Sequence, residues 1–213
     1  MAQIICLANS YRHGGRCIAG IDVITGEWIR PVSNDIKIER SITHQRFING
    51  REIELMDVLE IPIESFGPDE GCQAENRLLK DKPWKYIDRV KPRDVLKYCK
   101  DEKVILHNDT DRVAPSLFTK LPKSKWSSLQ LVHSKNVHFY CDPWEHWRAY
   151  FSYGPRKTLV LKITDPFILE RLEKNEQIKP ECILTISMGT PYKRPNSSDP
   201  EYCWKMIAGV IEL

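Results

Sequence analysis

The sequence predicts a mainly β protein made of two tandem β-barrels with a few short helices. Three observations carry that expectation. The 213 residues fit two modules of about 100 residues each. Apolar residues recur with a period of two over several short segments, and turn residues punctuate them. The second half also reads strand, strand, strand, helix, strand, strand. With 41% hydrophobic residues the chain can fill two cores, and its composition is not that of a disordered segment.

In the first half, Ile4–Leu7 and Cys17–Asp22 read as strands separated by a basic loop. Thr25, Gly26 and Glu27 turn the chain back into a further strand, Trp28–Val32. Ile53, Leu55, Leu59, Ile61 and Ile63 share one parity, as in a half-buried strand. From Lys80 to Lys125 the chain is charged and interrupted by Pro83, Pro92, Pro115 and Pro122. Pro92 is placed to open a short helix through Asp94, Leu96 and Tyr98. The first module with this helical connector is expected over 1–120 and the second over 121–213.

In the second half, Leu129, Leu131, Val137 and Phe139 share a parity, followed by strands at Trp147–Tyr153 and Thr158–Thr164. Asp165 and Pro166 supply an N-cap and a first-turn proline for a helix through Phe167, Leu169, Leu172 and Lys174. Cys182–Ser187 and Cys203–Leu213 finish the chain as strands. A helix interrupting a five-strand meander is the pattern of an OB-like barrel.

A formal net charge of +3 is too small for a broad polyanion-binding surface, but a local basic groove is compatible with it. The seven cysteines are scattered without a CxxC pair, which points to reduced thiols rather than a disulfide framework. Neither a secretory signal nor an apolar run of the ~18 residues needed for a membrane span is present, so a cytoplasmic protein is expected.

Several blocks together resemble the dual OB-containing domain proteins, a prokaryotic family. They are Ile5-Cys6-Leu7-Ala8-Asn9-Ser10 leading to His13-Gly14-Gly15-Arg16-Cys17-Ile18-Ala19-Gly20, and Gly26-Glu27-Trp28-Ile29-Arg30-Pro31-Val32-Ser33. Further matches are Gln73-Ala74-Glu75-Asn76, Ile163-Thr164-Asp165-Pro166, and Leu184 to Gly189 with Cys203 to Gly209. The resemblance spans nearly the whole chain. It implies two OB-like barrels and, from that fold, nucleic-acid binding; it brings no catalytic residue with it.

The residues nominate a ligand set of their own. The loop around Ser10, Arg12, His13 and Arg16 sets cations beside a diglycine whose amides can approach a phosphate. A plain hairpin with solvated arginines is the alternative. Trp28 and Arg30 lie two apart in a strand and so share a face, as a base-stacking ring beside a guanidinium would. A core Trp28 and an Arg30 paired with a carboxylate is the other reading. Rings and cations interleave again around Trp144, Trp147, Arg148, Tyr150, Phe151 and Tyr153, followed by Arg156 and Lys157. At least half of those rings are needed for a core, which leaves Arg148, Tyr153, Arg156 and Lys157 as the ligand candidates. Tyr192 in the last loop and Lys205 in the C-terminal block complete the set.

No catalytic or metal constellation stands out, and no cofactor is expected. His133 and Cys141 would lie about 26 Å apart on one continuous strand at ~3.3 Å per residue, so with His138 and His146 they do not converge on zinc. His13, Cys17 and Asp22 are near in sequence only, and GxSxG, P-loop, HExxH and GxGxxG motifs are absent. The leading expectation is therefore binding of single-stranded nucleic acid or a nucleotide in a cleft formed by the two barrels. An enzyme acting on such a ligand would need a converging acid–base or metal set. A protein-interaction adaptor, the third class, would show a large exposed apolar patch without a basic surface.

Overall fold

The computed structural model describes residues 1–12, 14–100, 103–195 and 198–213. The chain divides into two units, Met1–Pro68 with Glu75–Tyr98, and Asp69–Ala74 with Cys99–Leu213.

The first unit contains β1 (Ala2–Arg12), β2 (Gly15–Asp22), β3 (Trp28–Val32), β4 (Phe47–Ile48), β5 (Arg51–Glu52), β6 (Asp57–Ile61), β7 (Asn76–Leu78) and β8 (Lys85–Arg89). Its main sheet runs β7-β3-β2-β1-β6-β8, with β4 and β5 as a separate ribbon. All neighbours in the sheet are antiparallel except β3 and β7. Ile4, Cys6, Ile18, Ile42, Leu59 and Ile61 build the core beneath it. Every residue of the edge strand β8 is exposed, and Lys85 and Arg89 reach back to Glu60 and Asp57 of β6.

The second unit holds β9 (Arg112–Val113), β10 (Leu129–Ser134), β11 (Val137–Cys141), β12 (Trp147–Tyr153), β13 (Lys157–Ile163), α1 (Pro166–Glu173), β14 (Cys182–Met188) and β15 (Cys203–Glu212). Its sheet runs β10-β14-β15-β13-β12-β11, with β9 added to the start of β15. β13 and β15 are parallel, which requires a crossover, and α1 lies in that connection. The Asp165 side chain caps α1 by accepting from the Phe167 and Ile168 amides, and its second oxygen accepts from Val210 N in β15 at 3.0 Å. One buried carboxylate thus fixes both the start of the helix and its seat on the sheet.

The expected pair of closed OB-like β-barrels is not what the sheets form. Both are open in the hydrogen-bonding sense, with edges at β7 and β8 in one unit and β10 and β11 in the other, and the chain is a sheet-dominated mixture of strands and helices. In the second unit the edges are consecutive strands separated only by Lys135 and Asn136. The expected run from Leu129 to Phe139 breaks there, and the Val137 amide donates to Pro180 O at 2.9 Å. Alternation specifies the face that each strand buries, whereas closure depends on pairing between edges, which a local pattern does not encode.

Candidate functional site

In the first unit the β1–β2 hairpin carries the N-terminal ligand candidates. Gly14 takes φ +72°, and a Cβ on Gly15 would lie 2.3 Å from Ile42 O, so the diglycine turns the chain and lets the 41–42 segment pack directly on the hairpin. Arg16 pairs across the hairpin with Tyr11. Its guanidinium lies 4.6 Å from that exposed ring, while its Nε donates to Glu52 at 3.0 Å. The Arg12 Nε is buried and has no hydrogen-bond partner among the described residues. Ser10 is buried within β1, and His13 lies outside the described residues.

Arg30 does not join this surface. It is 1% exposed, pairs with Glu75 at 3.2 Å, and lies 3.4 Å from Asn76 Oδ1. Glu75 therefore neutralises a buried guanidinium, and the Asn76 amide oxygen accepts a hydrogen bond from it. Trp28 is half-buried at the start of β3, where it pairs in register with Ile21 of β2.

In the second unit the aromatic–basic segment divides by parity. Ala149, Phe151, Leu159, Leu161 and Ile163 face the core, and so does Tyr153. The Tyr153 hydroxyl donates to Asp109 at 3.0 Å, and burial together with that carboxylate pushes the phenol up to about 12. Lys157 bonds the same carboxylate at 2.8 Å and the Lys103 carbonyl at 2.6 Å. Tyr153 and Lys157 thus anchor the loop before β9. Lys205 is buried as well, donating to Ile105 O, Asn108 O and Asn108 Oδ1 at 2.6, 2.8 and 2.7 Å; burial lowers its pKa to about 8. Arg156 projects from the exposed β12–β13 turn, and Tyr192 is exposed while its backbone pairs with Tyr202.

The opposite parity forms a surface. Tyr140, Arg148 and Lys162 are cross-strand neighbours on β11, β12 and β13, and His138, Tyr150 and Val160 form the adjoining row. His138, Tyr140, Tyr150 and Lys162 are exposed, with both tyrosines 40% accessible. Directly opposed side chains in such a ladder have Cβ atoms about 5 Å apart, so rings and cations lie side by side. Arg148 is held in this surface by Asp142, whose Oδ2 accepts from Nε at 2.6 Å. Burial opposes ionisation of Asp142, but Arg148 and the His146 and Trp144 amides outweigh it and hold the carboxyl at about 2.

Sequence reasoning selected Arg148 in this surface and missed Tyr140 and Lys162. Rings occur on both parities of β12, so Tyr150 could not be told from Tyr153 until the register was known. Of the histidines weighed for zinc, His133 bonds Glu181 at 2.9 Å, and His138 lies against Tyr150 with ring centres 6.2 Å apart. No group of metal-ligating residues occurs among the described residues, nor is any described helix long and apolar enough to cross a membrane.

These features define a sheet-dominated protein of two units whose exposed surfaces carry rings set among cations. The chain belongs to the dual OB-containing domain family, whose sequence pattern matches residues 2–210. No curated protein and no solved structure matches it. OB domains as a class take oligonucleotides or oligosaccharides on strands and loops, so the family name points to nucleic-acid or nucleotide binding in general.

Proposed function

We propose that the protein binds single-stranded nucleic acid or a nucleotide, and that the outward face of β11, β12 and β13 is a principal contact surface. The observation that carries this reading is the register placing Tyr140 beside Arg148 and Lys162, and His138 beside Tyr150, on a face whose reverse side is core. Exposed rings accept bases irrespective of sequence, and neighbouring cations attract the phosphates. The β1–β2 hairpin, with Arg12, Arg16 and Tyr11, supports the reading as a second basic and aromatic element within its own unit.

Fluorescence anisotropy with labelled single-stranded DNA, RNA and mononucleotides at two salt concentrations tests the reading. The folded parent is expected to bind at least one of these, more weakly at the higher salt. Absence of binding to all three overturns it and transfers the surface to a protein partner.

A further inference from the structure

The outward face of the second unit does not stop at β13. Met206 of β15 is the cross-strand neighbour of Lys162, and in β15 the buried Cys203, Lys205 and Ile207 alternate with the partly exposed Trp204 and Met206. Trp204 therefore lies on the same face as Lys162. Two guanidinium groups stack on it: Arg194 lies 3.9 Å from the ring centre and Arg112, its register partner on β9, lies 5.0 Å away. Arg112 is also 4.8 Å from the Tyr202 ring, which meets Trp204 edge-on at 5.9 Å.

The two cations differ from the arginines that have structural work. Arg30 and Arg148 are held by carboxylates at 3.2 and 2.6 Å, whereas the nearest acid to Arg112 is Asp111 at 4.0 Å. Arg194 is exposed and has no ion-pair partner among the described residues. A guanidinium stacked on a ring uses its face and keeps its N–H edge for hydrogen bonds, and that edge matches the oxygens of a phosphate. Two such groups on one ring are pre-positioned like charges that an anion would relieve.

We infer that Arg112 and Arg194, stacked on Trp204, form a phosphodiester clamp that extends the ring-bearing face, so that the surface takes a single strand several nucleotides long rather than a free nucleotide. This rests on the nucleic-acid reading above. The four strands from β11 to β15 span about 14 Å at ~4.8 Å per strand. At ~3.4 Å per phosphate of a stacked strand that is about four phosphates.

The test is anisotropy with labelled oligothymidylates and oligouridylates of two to eight nucleotides, over a range of salt, for the full chain and its variants. In the parent, affinity should rise steeply up to about four nucleotides. The double variant R112A/R194A should lose the last part of that rise and show a salt slope lower by about 1.4, from two phosphate contacts at ~0.7 each. R112K/R194K should keep the slope and lose affinity, because lysine retains the charge without the fork; should the alanine variant fail to fold by circular dichroism, this pair and each single alanine variant decide the matter. An unchanged slope and length dependence in folded variants, while Y140A/Y150A loses affinity, overturns the clamp and leaves the nucleic-acid reading standing. No oligonucleotide binding by the parent overturns the clamp, and if mononucleotides also fail to bind, the nucleic-acid reading falls with it.

Discussion

Arg148 Nε donates to Asp142 Oδ2 across the β11–β12 turn, while the other oxygen of that carboxylate accepts from the Trp144 and His146 amides. One ionised side chain therefore shapes the turn and orients a cation on the ring-bearing face. Its pKa of about 2 lies below the ~3.9 of an unfolded aspartate, so the folded state holds this proton less tightly. The stabilisation is complete above about pH 4 and is lost as the pH falls through the folded value. Melting temperatures measured from pH 5 to 2 should fall more steeply in the parent than in Asp142→Asn.

The Arg30–Glu75 pair should behave in the manner of a buried ion pair. Glu75→Ala leaves a guanidinium that is 1% exposed without its carboxylate, at an expected cost of about 3–5 kcal/mol in urea unfolding. Arg30→Met combined with Glu75→Leu should recover most of that loss, because well-packed apolar replacements remove the desolvation penalty along with the charges. A double variant as unstable as the single one would contradict this account.

Asp165→Ala removes the cap of α1 and strands the buried Val210 amide together. A lost cap costs about 1 kcal/mol and an unsatisfied buried donor about 1–3 kcal/mol, so a total of about 2–4 kcal/mol is expected. Chemical denaturation measures it directly, and a loss below the cap alone would show that Val210 N finds another acceptor.

Rings on the two parities of β12 should separate cleanly by readout. Tyr150→Ala is expected to weaken single-strand binding by about 1–3 kcal/mol without altering the salt slope. Tyr153→Phe should instead lower the melting temperature through loss of the Asp109 bond and leave binding unchanged. Equal binding losses in both variants would mean that β12 presents a different face to the ligand.

Local chemistry was the legible part of this chain. The Asp165-Pro166 signal for a helix start is satisfied at Pro166–Glu173 because capping is decided within a few residues. The openness of the sheets was not legible, since the break at Lys135–Asn136 depends on where Val137 finds an acceptor more than forty residues away along the chain, at Pro180. Arg30 and Lys205 show the same limit in the site. A cation beside a tryptophan reads as a binding surface, and only the fold reveals that Glu75 and the Ile105–Asn108 loop already occupy them. Arg112 carried no signal at all, because the ring it stacks on lies on a strand distant in sequence.

The exposed strand β8 has a consequence for life at high concentration. An open sheet ends in a row of unsatisfied backbone groups, and two copies meeting along such a row can zip together into a growing fibre. Lys85, Asp88 and Arg89 place charges of both signs along β8, with Lys85 and Arg89 tied sideways to Glu60 and Asp57. A second copy approaching that edge would have to strip water from these charges before gaining any backbone bond. The strand thus acts as a gatekeeper against self-templating, and this protection belongs to solubility rather than to ligand recognition.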